Sequence, residues 1–298
     1  MLAKTIVLNN RVFTYVKSRT YMPVSVYKGK NVFLRVGPEE LIKKEIKSSK
    51  ELFKLGYPVA EILESGHLDG QYYFIENSLG EIQFSSIFES DTEKEGKIND
   101  EHFALFLDVS IRLAEAQIKT ASKKELWDEF MGGIHLGHII NELPQLASQT
   151  KIATEKVRNR LKAMPRVMSH GDFNPYNSFP GGIIDIERPF AAPLGYDLAS
   201  NIIQTFMFPS KNNYEKHRKY EFNPSQIDRY VLEMDRLLHK EDLLELSKIL
   251  DDFIFLRLIW SVVRMEKTPL LQKWRYGLYT RVLMAYISNF PIKPLVFR

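Results

Sequence analysis

The stretch Ser169–Glu187, SHGDFNPYNSFPGGIIDIE, constrains this chain more than any other. It crowds Asp172, Asn174, Asn177, Asp185 and Glu187 into a few turns, and all of them carry hard oxygen atoms. It also holds two tight-turn signals, Asn174-Pro175 and Pro180-Gly181. Pro180-Gly181 suits the central positions of a type II turn, so Ser178 to Ile184 is predicted as a minimal hairpin. Such a hairpin carries the chain from Asn177 back to Asp185 and presents two oxygen ligands from adjacent strands. A fold that accepts this stretch must supply a rigid seat for a polar loop.

The rest of the composition is permissive. With 298 residues, 44% of them apolar and 26% charged, there is enough material for a sizeable core and for two lobes. Cysteine is absent, which excludes disulfides, thiolate catalysis and cysteine-zinc sites and fits a reducing cytoplasm. The N-terminus, MLAKTIVLNN, lacks the apolar core of a signal peptide. The most apolar run, Phe253 to Val263, is too short to span a bilayer and is interrupted by Arg257, so it reads as a buried helix. The net charge of +4 comes from scattered basic residues, without the clustered stripe that a nucleic-acid footprint needs. Neither nucleic acid nor membrane is expected as a partner.

Taken in order, residues 1–36 read as strands: Val12 to Val16 alternates, and Pro23 to Tyr27 and Asn31 to Val36 flank a turn at Lys28-Gly29-Lys30. The link Lys17-Ser18-Arg19-Thr20 is a polar hairpin tip or, less simply, a phosphate contact. Pro38 to Leu55 reads as a helix opened by Glu39 and Glu40 and ended by Gly56. On it Leu41, Glu45, Ser49 and Leu52 share a face. Glu45 either pairs with Arg35 or joins a surface array with Lys43, Lys44 and Lys47. Val59 to Leu63 and Gln71 to Ile75 are two more predicted strands, with a turn over Gly66 to Gly70. The β-rich part ends at Glu76-Asn77-Ser78, which sets a division into 1–78 and 79–298. Glu89 to Glu101 lacks apolar periodicity and is predicted as a solvated loop. Helices are predicted over about 101–117, 124–141, 144–163, 196–208, 225–239, 241–265 and 272–288. The fold class is therefore α+β: a small antiparallel sheet with one helix, then a larger, mainly helical part.

Asp172 to Asn177 is a D-x-x-x-x-N spacing, followed after the hairpin by Asp185. Asn177 and Asp185 suit Mg²⁺, which takes one or two protein oxygens and fills its shell from water and nucleotide phosphates. Asp172 is placed to orient a hydroxyl and accept its proton. This is the logic of phosphoryl transfer, in which positioning and charge neutralisation carry the rate.

HGDFNPYN, IDIE and GYDLA, all in order within residues 170–199, resemble the aminoglycoside phosphotransferase family, the kinase-like group that includes choline and fructosamine kinases. The resemblance implies a protein-kinase-like, two-lobe fold and transfer of the γ-phosphate of ATP or GTP. It implies Asp172 as catalytic base, Asn177 and Asp185 on Mg²⁺, and His170 and Asp197 as braces. It also implies Glu187 near a second metal or shaping the loop. In the N-terminal part it implies that Arg35 occupies the position of the phosphate-holding lysine, with Glu45 as helix partner. Phe33 would stack on the base, and Glu76, Asn77 and Ser78 would form the hinge against its edge. Arginine at 35 departs from the family pattern, and the hairpin is shorter than usual.

Only Ile186 to Tyr196 separate Asp185 from Asp197, too little for a peptide-docking platform. A small hydroxylated acceptor is expected, and Asp228, Asp235, Asp251, Asp252, Trp260 and Tyr276 are candidates to line its pocket. Acids there would favour an amine-bearing acceptor, although solvated helix faces or core account for most of these residues equally well. The alternative reading is a degenerate module that binds nucleotide without transferring phosphate, motivated by Arg35 and the missing glycine loop.

Overall fold

A computed structural model describes residues 4–18, 23–124, 127–186, 190–210, 213–264 and 267–297. The first part is one antiparallel sheet. Its strands are β1 (Thr5–Leu8), β2 (Arg11–Ser18), β3 (Ser25–Lys28), β4 (Val32–Gly37), β5 (Ile62–Leu68) and β6 (Gln71–Asn77), in the order β1-β2-β3-β4-β6-β5. Strand β1 lies within the span read as strands, although no separate run was singled out there. It turns into β2 through Asn9 and Asn10, whose φ angles of 48° and 61° give the left-handed pair that a two-residue hairpin needs. The second hairpin also differs from expectation. Strand β5 runs on past Gly66, and the turn is Asp69-Gly70, with φ of 48° and 77°. Asp-Gly is the stronger two-residue turn signal, and it set the register.

Helix α1 (Glu39–Lys54) packs on the sheet face that carries Val24 and Phe74, burying Ile42 and Ile46. The predicted stripe through Leu41 is therefore rotated by one residue: Leu41 is exposed, and Glu45 lies at the edge of the buried face. Phe13, Tyr27, Leu34, Val36, Tyr73 and Ile75 pack on the other face.

The remainder is mainly helical: α2 (Phe84–Glu95), α3 (Asp100–Lys119), α4 (Trp127–Gly133), α5 (Leu136–Glu142), α6 (Ala147–Leu161), α7 (Tyr196–Ile203), α8 (Pro224–Lys240), α9 (Leu246–Arg264), α10 (Pro269–Ile287) and α11 (Lys293–Val296). Between α6 and α7 lie four short strands: β7 (Arg166–Ser169), β8 (Ser178–Phe179), β9 (Gly182–Ile183) and β10 (Phe190–Pro193). The predicted solvated loop Glu89–Glu101 is corrected here. Its first half belongs to α2, anchored by Phe84 and Phe88 in an aromatic cluster with Phe103, Phe106 and Phe222. Its polarity has structural uses: buried Asp91 accepts from the Asn99 N–H and pairs with His102, and Asn99 caps α3. The single helix expected over 124–141 is two, broken at His135, whose φ is 62°. From Phe253 to Val263 helix α9 is apolar nearly all round, and it sits between α7, α8 and α10, as a central helix should.

Candidate active site

The loop is seated on a two-stranded ladder. Strands β7 and β10 pair antiparallel with Ser169 opposite Phe190, and the chain leaves β7 directly into His170-Gly171-Asp172. Gly171 has φ of 80°, and a β-carbon there would lie 2.3 Å from the Phe190 ring. Only glycine gives both the left-handed turn and the clearance.

Asp197, in the first turn of α7 and 1% exposed, holds the loop's entrance. Its Oδ2 accepts from the Gln117 side chain (2.5 Å), Ser169 Oγ (2.9 Å) and the His170 N–H (2.7 Å), and its Oδ1 from the Gly171 N–H (2.9 Å). Four donors compensate the buried carboxylate. His170 ties the loop to the hairpin. Its Nε2 donates to the Ile184 carbonyl (2.8 Å), while Nδ1 accepts from the Asp172 N–H (3.3 Å), which fixes the tautomer.

Asp172 and Asn177 are brought together. Asn177 Nδ2 donates to the Asp172 carbonyl (2.9 Å) and, at 3.4 Å, approaches its Oδ2. The amide nitrogen is thus committed to Asp172, so the amide oxygen points elsewhere. Asn174 caps the 3₁₀ turn Pro175–Asn177 and donates to Asp172 Oδ1 (3.0 Å). The Ile184 N–H donates to the Asn177 carbonyl (2.9 Å), which puts Asp185 just beyond the hairpin's end. Asp185 is exposed and left-handed, with φ of 71°, and its carboxylate has no hydrogen-bond partner among the described residues. Glu187 lies outside the described residues.

The hairpin is as short as expected, but its turn is not type II. Gly181 is absent from the positive-φ glycines, and type II requires positive φ at that position. The glycines serve close approach instead. A β-carbon on Gly181 would lie 2.6 Å from the Leu79 carbonyl oxygen, and one on Gly182 would lie 1.9 Å from that of Pro58. Gly181 and Ile183 donate their N–H groups to these same carbonyls, each at 2.7 Å. Arg112 of α3 reaches the carbonyls of Gly181 and Pro180 from the other side.

In the sheet, Phe33 and Arg35 are half-buried and alternate with buried Val32, Leu34 and Val36. Arg35 bridges two carboxylates: its Nη1 donates to Glu45 (2.6 Å) and its Nε to Glu76 (2.7 Å). The surface-array reading of Glu45 is thereby set aside. Glu76 is 8% exposed and spends its side chain on Arg35. The N–H groups of Asn77 and Ser78 are taken by the Glu61 and Asn31 carbonyls, so those two donors serve the fold and not a base edge. Of the polar link at 17–20, Arg19 and Thr20 lie outside the described residues.

The acids offered as pocket lining do not gather around the loop. Asp228 pairs with Lys293, Asp235 accepts from the Ser247 N–H, and Asp251 caps α11 through the N–H groups of Ile292 and Lys293. Asp252 is fully buried between Arg160 and Tyr286, and burial pushes its carboxyl up from the usual range. Tyr276 donates to Glu142. No group of three or more His, Asp or Glu side chains among the described residues converges as a metal site.

Arg257 and Gln204 reach the loop without having been predicted to. Arg257, fully buried on α9, donates through Nη2 to Asp172 Oδ1 (2.6 Å) and to Gln204 Oε1 (2.6 Å), and its guanidinium lies 3.7 Å from the centre of the Trp260 ring. Trp260, offered as a pocket residue with core as the plainer alternative, is half-buried in this stack. The signal was present in the sequence, a lone arginine inside FIFLRLIW, where an unpaired charge is not tolerated.

No family model and no curated protein matches the chain. Among solved structures it is similar to an aminoglycoside 3′-phosphotransferase of type VIII, at 16% identity and a TM-score of 0.41 over 81% of this chain and 93% of that one. It is similar to an aminoglycoside phosphotransferase from Streptomyces rimosus in complex with ADP and streptomycin, at 14% identity and 0.45 over 80% and 92%. It is also similar to a choline/ethanolamine kinase family protein from Mesorhizobium loti, at 14% identity and 0.42 over 93% and 92%. A common substrate does not follow from identities this low, and the chemistry must come from the loop itself.

Proposed function

We propose that the chain is a phosphotransferase that moves the γ-phosphoryl group of ATP or GTP to a hydroxyl of a small acceptor. The observation that supports the reading is the seating of Asp172 and Asn177 on one braced loop, with Asp185 next after the Ile184–Asn177 bond at the hairpin's end. In this reading residues 1–78 serve the nucleotide and 79–298 supply the loop and the acceptor site. Asp172 Oδ2 accepts the acceptor's proton as its oxygen bonds to phosphorus and the bond to the bridging oxygen of the diphosphate breaks. Asn177 Oδ1, turned away from Asp172, and the Asp185 carboxylate, which has no hydrogen-bond partner among the described residues, fit the small oxygen set that Mg²⁺ takes. When bound there, Mg²⁺ would neutralise charge on the phosphates. His170 and Asp197 hold the loop, and Glu187 remains a candidate for a second metal contact. The acceptor class stays broad, because the acids expected to select an amine are committed elsewhere. No helix among the described residues is long and apolar enough to cross a membrane.

The test is release of ADP or GDP over a panel of aminoglycosides, choline-like aminoalcohols, sugars and amino-acid alcohols. Asp172→Asn is expected to lower turnover by about 10²–10⁴-fold, the usual worth of a general base. Equal rates for the two proteins would remove Asp172 from the role.

A second reading, a module that holds nucleotide without transfer, draws on Arg35, whose guanidinium is shared by two carboxylates. Both readings require Mg-nucleotide to raise the melting temperature, since a ligand of the folded state stabilises it. Absence of a shift with any nucleotide would sink both.

A further inference from the structure

Arg257 is fully buried within the apolar run Phe253–Val263 of α9, a placement that is costly unless its donors find partners. Its partners converge on the loop. Nη1 donates to the Gly171 carbonyl (3.3 Å), Nη2 to Asp172 Oδ1 (2.6 Å), and Nε and Nη2 together grip Gln204 Oε1 at 3.1 and 2.6 Å. The Trp260 ring covers one face of the guanidinium. The group therefore has a fixed plane and a fixed bearing on Asp172. Asp172 itself is 43% exposed, so burial does not hold its carboxylate. Its two oxygens are treated unequally. Oδ1 takes Arg257 and Asn174, whereas Oδ2 receives only the long 3.4 Å approach of Asn177 among the described residues.

We infer that Arg257 is a positioning residue for Asp172. It locks Oδ1, so that Oδ2 is the oxygen presented to the acceptor hydroxyl, and Gln204 aims the guanidinium. The inference rests on the phosphotransfer reading above. It assigns α9, remote in sequence from the loop, a part in setting the reactive geometry, because the Arg257 fork ties α9 to the residue that follows α7. Lysine could reach Oδ1 but could neither grip Gln204 with a fork nor stack its plane on Trp260.

The experiment compares wild type, Asp172→Asn, Arg257→Met, Arg257→Lys and the double variant Asp172→Asn/Arg257→Met by kcat and KM for nucleotide and acceptor. Arg257→Met is expected to lower kcat about 100-fold, the scale of an ångström-sized misplacement of a reacting group, with the nucleotide KM unchanged. Arg257→Lys should recover part of that loss. The double variant should be no slower than Asp172→Asn, because Arg257 acts through a group already disabled. Wild-type kcat in Arg257→Met, or losses that multiply in the double variant, would overturn the inference while leaving Asp172 as base. An Asp172→Asn protein as active as wild type would instead remove Asp172 from the role of base, and this inference with it. Should Arg257→Met not fold, Arg257→Lys and Gln204→Ala, alone and combined with Asp172→Asn, run the same cycle with the same deciding outcomes.

Discussion

At the scale of single residues, the arginine at position 35, where a lysine was expected, has a local physical use. A lysine offers one compact ammonium, whereas a guanidinium offers a rigid fork. Here the fork serves two carboxylates in different directions, Glu45 on α1 and Glu76 on β6. A lysine that satisfied Glu45 would not also give the buried Glu76 the hydrogen bond that Arg35 Nε supplies. Glu76→Gln removes one negative charge beside Arg35 and keeps a hydrogen-bonding side chain against it. If Arg35 faces the nucleotide phosphates, the affinity for MgATP should rise by about fivefold, corresponding to about 1 kcal/mol for one partly screened charge. Isothermal titration calorimetry reads this directly. Weaker binding in Glu76→Gln would place the phosphates away from Arg35.

At the scale of elements, the decisive one is the hairpin β8–β9, because its backbone rests against the carbonyls of Pro58 and Leu79. Gly182→Ala drives a β-carbon into the Pro58 carbonyl, a backbone atom that cannot rotate aside. A loss of about 1–3 kcal/mol is expected for such overpacking, together with weaker Mg-nucleotide stabilisation, because Asp185 follows the hairpin directly. Gly132→Ala, on α4 with nothing near its β-carbon, should be neutral or stabilising by up to about 1 kcal/mol. Melting curves with and without MgATP separate the two, and equal behaviour would mean that the hairpin does not depend on its close seat. This element also marks where the sequence was and was not legible. Pro180-Gly181-Gly182 announced a turn, but the reason for the glycines was a contact made by residues some hundred positions upstream, which no local pattern encodes. The same holds for Arg257 and Gln204, visible as polar residues in helices but not as partners of Asp172. What was legible was local: the period of β2, β4 and α1, the oxygen-rich loop and the hairpin's length. The loop predicted over Glu89–Glu101 failed because two phenylalanines, not a long stripe, anchor α2, and because its acids cap and pair where they had been taken as solvated.

At the scale of the whole molecule, the loop depends on the large core behind it. Tyr196 opens α7 one residue before Asp197 and packs against Phe130 and Phe253, so the brace of the loop is continuous with the buried centre. Burial pushes the Tyr196 and Tyr279 hydroxyls up to about 12, and holds those of Tyr57, Tyr220, Tyr230 and Tyr286 above the usual tyrosine range as well. The direction sets the sign. A folded-state pKa above the unfolded value of about 10 favours the neutral phenol in the fold, so the stability these groups contribute is complete below about pH 10 and is lost as pH rises through about 12. Alkaline titration should therefore run in two waves. Exposed tyrosines should ionise near pH 10 without loss of helix, and the buried set should follow in a steep step that coincides with the fall of far-ultraviolet circular dichroism. Because Tyr196 is one of the buried set, nucleotide turnover should vanish in the second wave and not the first. A single smooth wave near pH 10 with helix retained would show that these phenols are accessible to solvent and that α7 is not buried as the fold requires.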